Sequence, residues 1–410
     1  MSDFPSHLDP QKHSWLQSEA LRRLFGVIKA AGGETRAVGG AVRDALLGRP
    51  VNEIDLAVNL APDRVISILE DAKIKVVPTG FEHGTVTAVI DHKGYELTTL
   101  RKDVETDGRR ARVAFTDDWQ GDAARRDFTI NALYADEAGK IYDYFSGRTD
   151  LAQGRVRFIG DARARIKEDV LRILRFYRFY AYFGKGAPDA DGLAACRELA
   201  TLLPTLSAER VWREIVKLLA VPDPAPTWKT MRDNAALTYV APDATNIMRL
   251  EGLVEAEKRY EEDAVPLARF AALLPKNKMA ADSIAQKLKL SNKDADVLRV
   301  LTVLPDALRG KLDPVPFRRA MYEHGMSNAR AAALLVAAED RGADLEPALA
   351  AAAEWQKPVF PLQGEDILKM GLTPGPQVGV ILKSVEDWWA AQDFRPNRDE
   401  CLAEAKKLIK

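Results

Sequence analysis

The spacing of apolar residues divides the chain into a mixed first part and a helical remainder. Helical spacing predicts helices over residues 15–31, 41–47 and 62–72. Short apolar or alternating runs predict strands over residues 35–38, 53–58, 75–77, 85–90 and 95–100. After a proline-rich segment at residues 221–227, helical patterns continue over residues 265–274, 292–304, 315–324 and 328–340. The pattern therefore predicts an α+β protein, in which a small mixed β-sheet with helices precedes an all-α part.

Composition and charge narrow the possible classes of function. The 410 residues have a net charge of −1 at pH 7, so any basic surface for nucleic acid must be local. No apolar run approaches the roughly 18 residues typical of a membrane helix, and no apolar signal core begins the sequence. Cys196 and Cys401 form neither a disulfide framework nor a Cys-x-x-Cys metal site. We therefore expect a cytoplasmic protein with no membrane partner and no evident protein partner.

The first candidate for chemistry is a glycine turn between a predicted strand and a predicted helix. In the string Val-Gly-Gly-Ala-Val-Arg-Asp at residues 38–44, the glycines allow backbone amides to approach an anion closely. A Gly-Gly pair before a helix is more often only a tight turn. A helix N-terminus beside such a turn is nevertheless a ready phosphate site, and Arg43 adds a forked donor. We therefore predict that Gly40 and Arg43 bind a nucleotide phosphate.

Two carboxylates follow on a predicted strand. Glu53 and Asp55 are two residues apart, so they share one face of a strand, while Ile54 and Leu56 point into a core. Such a pair is more often a solvated face. Beside a phosphate cradle, however, carboxylate oxygens suit Mg²⁺ that is also bound to a triphosphate. We predict that Glu53 and Asp55 are metal ligands for Mg²⁺, with Mn²⁺ as the alternative ion.

The order of these two motifs resembles the signature of the polymerase-β-like nucleotidyltransferase superfamily. The fuller string Gly-Gly-Ala-Val-Arg-Asp-Ala-Leu-Leu-Gly at residues 39–48 resembles the class II CCA-adding tRNA nucleotidyltransferases and bacterial poly(A) polymerases. The resemblance implies a nucleotidyltransferase catalytic head over residues 1–155. A helical neck with a nucleobase-templating helix over 156–225 and a tRNA-binding helical body and tail over 226–410 are expected to follow. The chain departs from the family at Glu53, where the first acidic residue is usually Asp.

The resemblance also assigns roles to the chain that follows. Glu96, in a predicted strand, is implied to be a third catalytic carboxylate that supports the metal pair. Residues 101–121 are a long polar connection without clear periodicity, and such connections are usually mobile or functional. In the resembling tRNA enzymes, a flexible loop at this place helps to switch the site from adding C to adding A.

A second block, Arg-Arg-Asp-Phe-Thr-Ile-Asn-Ala-Leu at residues 125–133, resembles the Arg-Arg-Asp motif of the family. We expect a helix opened by Asp122 that turns Phe128, Ala132 and Leu133 inward. The match implies that Arg126 contacts the triphosphate or sugar. It also implies that Asp127 accepts from a ribose hydroxyl, which is within the capacity of a carboxylate.

A third block lies on a helix predicted over residues 161–183. Asp169, Arg172, Arg175 and Arg178 recur at three-residue intervals, so neighbouring members lie close on one helix face. A salt-bridged solvent face is the plain alternative. Cytosine and adenine both present an amino donor beside a ring-nitrogen acceptor, so an aspartate beside an arginine fits C and A and rejects G and U.

In the resembling enzymes, a Glu-Asp-x-x-Arg helix is such a protein template. The match gives the base-reading roles to Asp169 and Arg172, while Arg175 and Arg178 orient this pair or reach phosphate. All four residues are therefore predicted to bind nucleotide.

Three motifs in the family's order predict template-independent nucleotidyl transfer to RNA. The expected enzyme adds or repairs the 3′-terminal CCA of tRNA from CTP and ATP, with metal ions at Glu53 and Asp55 and release of pyrophosphate. A bacterial poly(A) polymerase or an A-adding enzyme has the same head and stays an alternative. A catalytically degenerate RNA-binding protein is the alternative from another class, and Glu53 is the only feature that favours it.

Overall fold

The computed structural model describes residues 4–106 and 111–409 and contains two compact units. Unit 1 consists of Met1–Glu214 with Thr230–Val240, and unit 2 consists of Ile215–Lys229 with Ala241–Lys410. The sheet and the three sequence motifs lie in unit 1. The α+β class is confirmed. The finer division at residues 155 and 225 stays a prediction.

The strands of unit 1 form one seven-stranded mixed sheet and one hairpin. The described strands are β1 (Thr35–Val38), β2 (Asp55–Val58), β3 (Lys75–Gly80), β4 (Thr85–Ile90), β5 (Lys93–Thr99), β6 (Arg101–Thr106), β7 (Ala111–Phe115), β8 (Leu133–Ala135) and β9 (Ile141–Asp143). The sheet has the order β3-β4-β5-β2-β1-β8-β9, in which β2 and β5 are parallel and the other neighbours are antiparallel. Strands β6 and β7 form the hairpin.

Helices surround this sheet and make up most of the remaining chain. Those that begin in unit 1 are α1 (Glu19–Ala30), α2 (Gly40–Leu46), α3 (Pro62–Asp71), α4 (Trp119–Ala124), α5 (Gly147–Gln153), α6 (Ala162–Glu168), α7 (Arg172–Phe183), α8 (Ala190–Glu198), α9 (Ala208–Leu219) and, after α10 (Ala225–Asp233), α11 (Ala236–Val240). Those of unit 2 are α12 (Ile247–Arg259), α13 (Pro266–Leu273), α14 (Lys278–Lys287), α15 (Asn292–Leu308), α16 (Pro314–His324), α17 (Met326–Glu339), α18 (Glu346–Ala353), α19 (Gly364–Leu368), α20 (Pro376–Ala391) and α21 (Arg398–Leu408). Boundaries between the two units fall within α9 and α10.

The helix predicted over residues 15–31 begins later than expected. A short 3₁₀ turn spans Ser14–Gln17, and α1 begins at Glu19. The Ser18 side chain accepts from the backbone N–H of Leu21 and so caps the helix. The predicted strand over residues 53–58 is also shorter, since β2 begins only at Asp55.

The polar connection predicted over residues 101–121 contains regular structure. Strands β6 and β7 pair in antiparallel register, with Arg101 opposite Phe115. Helix α4 follows, capped by the Asp118 carboxylate, which accepts from the backbone N–H of Gly121 at 3.0 Å. Residues 107–110, at the centre of the expected switching loop, lie outside the described residues.

The prediction of a helix opened by Asp122 is wrong. Asp122 lies inside α4, which ends at Ala124, and only a 3₁₀ turn at Thr129–Asn131 follows. The Asp122 carboxylate is buried and accepts from side chains, so it is not available as a cap. Phe128, Ala132 and Leu133 are nevertheless buried, as expected.

The single helix predicted over residues 161–183 is two helices. α6 ends at Glu168, Asp169 has extended backbone angles (φ −148°, ψ 104°), and α7 begins at Arg172. The Asp169 carboxylate accepts from the backbone N–H of Leu171 at 3.1 Å, and such local bonding competes with a continuous helix. Asp169 is therefore not on the helix face of the three arginines.

Aromatic packing joins α7 to the segment after α4. The rings of Phe158 and Phe176 are stacked, with centroids 5.6 Å apart, and Phe128 packs on Phe158 at 4.8 Å and on Phe179 at 5.3 Å. All four side chains are buried. The Arg-Arg-Asp block and the arginine-bearing helix thus share one core.

Unit 2 is helical, as the apolar spacing predicts. Its last helices enclose Trp389, which is buried and donates its indole N–H to the Pro396 carbonyl at 3.0 Å. The neighbouring Trp388 is partly buried against the same cluster. Within residues 4–106 and 111–409, no helix is long and apolar enough to span a bilayer.

Candidate active site

The glycine turn connects β1 to α2 as the sequence predicts. Gly39 has φ 69°, in the left-handed region that glycine adopts without strain, and Gly40 is the first residue of α2. The N–H of Gly39 donates to the Leu133 carbonyl at 2.9 Å, which ties the turn to β8. A Cβ on Gly39 would lie 3.4 Å from the Asn131 carbonyl oxygen, so the turn fits closely against the 3₁₀ turn.

Asp55 and Glu96 lie side by side on the sheet, next to this turn. In the parallel register Asp55 is paired with Glu96, and in the antiparallel register it is paired with Val38, the residue before Gly39. Both acidic residues are exposed. The alternate face of the same two strands contains the buried Leu56 and Leu97. The sheet register therefore places two carboxylates beside the predicted phosphate cradle.

Among the described residues, no cation forms an ion pair with Asp55. The pKa of the Asp55 carboxyl is raised, chiefly by desolvation and then by the negative charge of Glu96. Glu53 also raises this pKa, and the positive charge of Arg126 partly offsets these effects. Glu53 is exposed and precedes β2, so the argument that it shares a strand face with Asp55 does not hold, although its charge still acts on Asp55.

A divalent cation fits this charge arrangement. The described side chains do not bring three or more His, Cys, Asp or Glu residues together as a complete cation site. Asp55 and Glu96 offer a pair of neighbouring carboxylates, whose mutual repulsion a cation would relieve. Glu53, a nucleotide and water are the candidates for the remaining ligands, and ligands from a nucleotide or water are usual for Mg²⁺.

Arg126 lies beside the glycine turn and acts electrostatically on Asp55. Its Nε donates to the Tyr134 hydroxyl at 3.0 Å, and its Nη2 donates to Asp122 at 3.2 Å. Its Nη1 lies 3.8 Å from the position that a Gly39 Cβ would occupy. After the unfavourable effect of burial, the hydroxyl of Tyr134 and the carboxylate of Asp122 raise the pKa of Arg126, so it stays a fixed positive charge.

Arg43 is buried, and its guanidinium is held from two sides. It pairs with the adjacent Asp44, Nε to Oδ1 at 2.9 Å, and its Nη1 donates to Asn131 Oδ1 at 2.7 Å. It also lies over the Phe183 ring, 4.2 Å from the centroid. Desolvation lowers the pKa of Arg43. These contacts orient Arg43 within the protein, and the predicted phosphate contact stays a prediction.

Asp127 is buried, and four donors surround its carboxylate. Oδ1 accepts from the Phe128 N–H at 2.8 Å and from Asn131 Nδ2 at 3.0 Å. Oδ2 accepts from Arg175 Nε at 2.7 Å and Nη2 at 2.5 Å. Burial alone would raise the pKa of Asp127, but Arg175 and Asn131 lower it overall. Because a carboxylate has about four acceptor positions, the predicted ribose contact requires one of these bonds to be exchanged.

The residues predicted to read the base do not pair with each other. Asp169 pairs with Arg210 of α9, whose Nη2 lies 3.0 and 2.9 Å from the two carboxylate oxygens. Arg172 Nη1 donates to Glu168 Oε2 at 2.8 Å, and Arg172 Nη2 donates to the Arg125 carbonyl at 3.0 Å. The two groups are thus held separately, Asp169 in the break between α6 and α7 and Arg172 at the start of α7.

Arg178 completes the set of predicted nucleotide ligands. Its Nε donates to Glu214 at 2.5 Å, and its guanidinium lies over the Phe179 ring, 4.4 Å from the centroid. Glu214 and Arg210 both belong to α9. Their individual partners could not be inferred from the sequence, because the partners are more than 30 residues apart.

Comparison with known proteins decides the family. Residues 35–157 match the family described as the poly A polymerase head domain, and residues 188–248 match a probable RNA and SrmB-binding site of polymerase A. The chain is 34% identical to the mitochondrial CCA tRNA nucleotidyltransferase 1 of Danio rerio, over 90% of this chain and 86% of that protein. It is 33% identical to a CCA-adding enzyme of Streptococcus sanguinis, over 88% and 90% of the two chains. The chain belongs to the family of CCA-adding tRNA nucleotidyltransferases.

Solved structures of the family agree with the fold. The structure of the Bacillus stearothermophilus CCA-adding enzyme with CTP has a TM-score of 0.78 and 27% sequence identity, and covers 98% of each chain. Asp55, Glu96 and the buried arginines are therefore interpreted as residues of a CCA-adding tRNA nucleotidyltransferase. Asn131, Tyr134 and Arg210 were not predicted as site residues, although Asn131 lies inside the Arg-Arg-Asp block.

Proposed function

We propose that this protein adds or repairs the 3′-terminal CCA of tRNA, by template-independent transfer of nucleotidyl groups from CTP and ATP. The observation that carries the proposal is the sheet register that sets Asp55 beside Glu96 and next to the Gly39-Gly40 turn. An acidic pair next to a glycine turn can bring a primer hydroxyl and a triphosphate together. Catalysis then rests mainly on positioning and on stabilisation of charge.

Asp55 and Glu96 would hold Mg²⁺ or Mn²⁺, which when bound supplies Lewis acidity at the α-phosphate and favours ionisation of the primer hydroxyl. Glu53 lies near enough to act on the charge of Asp55. We keep it as a predicted ligand that would have to approach from the segment before β2.

The protein's own groups would bind and select the nucleotide. Arg126, fixed by Tyr134 and Asp122, presents Nη1 to the glycine turn, where a triphosphate oxygen would be neutralised. Asp169 and Arg172 would accept from and donate to the pairing edge of C or A. Both are anchored by other residues, so the base would meet groups that are already oriented.

The location in the cell and the tRNA-binding surface in unit 2 also stay proposals. A cytoplasmic location fits a chain whose described residues contain no membrane-spanning helix. The relative from Danio rerio is described as mitochondrial, so members of this family also occur in that organelle.

The proposal is tested by incorporation of each labelled nucleotide into tRNA that ends at the discriminator base, with Mg²⁺ or Mn²⁺. We expect incorporation from CTP and ATP but not from GTP or UTP. Asp55→Ala should abolish it, and Asp169→Ala should make it feeble or unselective. Asp71→Asn, an exposed charge removal on α3, is the matched control and should behave like the unmodified protein. Absence of incorporation with either ion would contradict the proposal.

A further inference from the structure

One neutral side chain lies between two charged pairs in the core of the candidate site. Asn131 is buried, accepts from Arg43 through Oδ1 at 2.7 Å, and donates to Asp127 through Nδ2 at 3.0 Å. Beyond these neighbours, Arg43 pairs with Asp44, and Asp127 pairs with Arg175. The result is a continuous chain of hydrogen bonds from α2, through the Arg-Arg-Asp block, to α7.

The chemistry at position 131 is unusually demanding. The side chain must accept from a cation on one side and donate to an anion on the other. A carboxylate can only accept and an ammonium or guanidinium can only donate, whereas the amide of Asn presents both functions in one rigid group. Since Arg43 and Asp127 are also buried, an unmade bond at either end would leave a donor of Arg43 or an acceptor position of Asp127 unsatisfied, although each keeps its ion pair.

The backbone carbonyl of residue 131 also lies close to the glycine turn. Its carbonyl oxygen lies 3.4 Å from the position of a Gly39 Cβ, and its N–H donates to the Phe128 carbonyl at 2.9 Å. The same residue thus meets the predicted phosphate cradle through its backbone, and Arg43 and Asp127 through its side chain.

We propose that Asn131 is a positioning residue of the nucleotide site, which couples Arg43 and the glycine turn to Asp127 and Arg175. The inference rests on the proposed function, since it concerns the binding of CTP and ATP. Asn131 sets the orientation of two predicted nucleotide ligands at once, without itself contacting the reacting atoms.

The test replaces Asn131 by Asp, which has nearly the same shape. As a carboxylate, Asp at this position keeps the bond from Arg43 but opposes the Asp127 carboxylate; when protonated, it both donates and accepts, as Asn does. The charged groups that act on this position are Arg43 and Asp127 directly, with Asp44, Arg175, Arg178 and Arg49 beyond them.

We expect Asn131→Asp to raise the KM for CTP and ATP about tenfold or more at pH 7.5. The ratio of its kcat/KM to that of the unmodified protein should recover as the pH falls, because protonation of the substituted carboxyl restores a donor towards Asp127. The KM for tRNA should change little. Circular dichroism at each pH establishes that both proteins are folded under the assay conditions.

Two further variants provide a second test of the inference and a matched control. Asn131→Ala removes both functions and should raise the nucleotide KM without recovery at low pH, and it serves as the test if the Asp variant does not fold. Asn59→Asp is the matched control, because Asn59 Oδ1 only accepts, from the Glu34 N–H at 2.6 Å, and a carboxylate can do the same.

The outcomes distinguish the inference from the proposed function. If the unmodified protein incorporates C and A, and the Asn131 variants retain its nucleotide KM or its pH profile, the inference is wrong and the function stands. If the unmodified protein incorporates no nucleotide, the proposed function itself fails.

Discussion

At the scale of single residues, the arginines of the site are paired with acidic residues, whereas the acidic residue Asp55 is not paired with any described cation. Arg43, Arg126, Arg175 and Arg178 each have an acidic partner. Within the described part of the chain, Asp55 has no ion pair or side-chain hydrogen bond, and its neighbour Glu96 adds to the negative charge. These arginines are therefore held in place by the protein, whereas the acidic pair Asp55 and Glu96 has the charge to bind a divalent cation.

Asp55→Asn should abolish activity and stabilise the metal-free protein. Because the folded-state pKa of Asp55 is raised, its ionisation weakens folding at neutral pH. This penalty is lost as the pH falls through the folded-state pKa and is absent below the unfolded-state pKa of about 3.9. We expect nucleotide incorporation to fall about a hundredfold or more. Thermal unfolding without divalent ions should show a higher melting temperature than the unmodified protein at pH 7 and no difference near pH 3. A lower melting temperature at pH 7 would refute this account of Asp55.

Arg175→Ala should destabilise the fold, because it leaves the buried Asp127 carboxylate without its cation. We expect a loss of about 3 kcal/mol in the free energy of unfolding at pH 7. Since the folded-state pKa of Asp127 is lowered, its stabilising contribution is present above the unfolded-state pKa, and the loss should shrink as the pH falls through the folded-state pKa.

Denaturant titration of the Arg175 variant, beside a matched control, measures this loss. Arg163→Ala breaks the exposed pair with Glu198 and should cost less than about 1 kcal/mol. An equal loss of unfolding free energy in the two variants would show that burial does not strengthen the contribution of the Asp127–Arg175 pair to stability.

At the scale of elements, the interruption between α6 and α7 determines where the predicted base-reading groups lie. Asp169 is in the interruption and Arg172 begins α7, so the two belong to different local structures. Helix α9 holds both sides, because its Arg210 binds Asp169 and its Glu214 binds Arg178. We infer that α9 is needed to set the distance between the two groups.

Arg210→Ala should therefore affect nucleotide selection more than catalysis. Without its partner, Asp169 would adopt more orientations, and incorporation from UTP or GTP relative to CTP should rise about tenfold. Arg213→Ala, at an exposed position of the same helix, is the control and should leave selection unchanged. Parallel kcat/KM measurements with the four nucleotides decide the matter, and unchanged selectivity in the Arg210 variant would exclude this role for α9.

The same elements show what local sequence could predict. Strands β4 and β5 could be predicted from alternation, because their buried and less buried residues alternate, whereas β1 and β2 could be predicted as short runs whose residues are mostly buried. The hairpin β6–β7 was missed, since its polar residues show no such pattern. The helix break at Asp169 was also missed, because the apolar spacing continues through it and only the side-chain bond to Leu171 interrupts the helix. The prediction that Glu53 lies on β2 was wrong for a related reason, because an alternating pattern does not mark the residue at which a strand begins.

At the scale of the whole molecule, the order of motifs was more informative than any one motif. Gly39-Gly40, the acidic strand, the Arg-Arg-Asp block and the arginine-bearing helix lie far apart in sequence, yet all belong to unit 1. The family, the α+β class and the tRNA-linked function could therefore be predicted from sequence. Contacts that join distant segments, such as Arg43 to Asn131 and Asp169 to Arg210, could not, because they depend on how the sheet and helices pack.

The central claim is tested most directly by the sequence of the product. A tRNA that ends at the discriminator base would be incubated with the unmodified protein, Mg²⁺ and all four ribonucleoside triphosphates, and the new 3′ ends would be sequenced. We predict addition of C, C and A in that order, followed by a stop. A single A or a long A tail would contradict CCA addition and indicate an A-adding or polyadenylating enzyme with the same site.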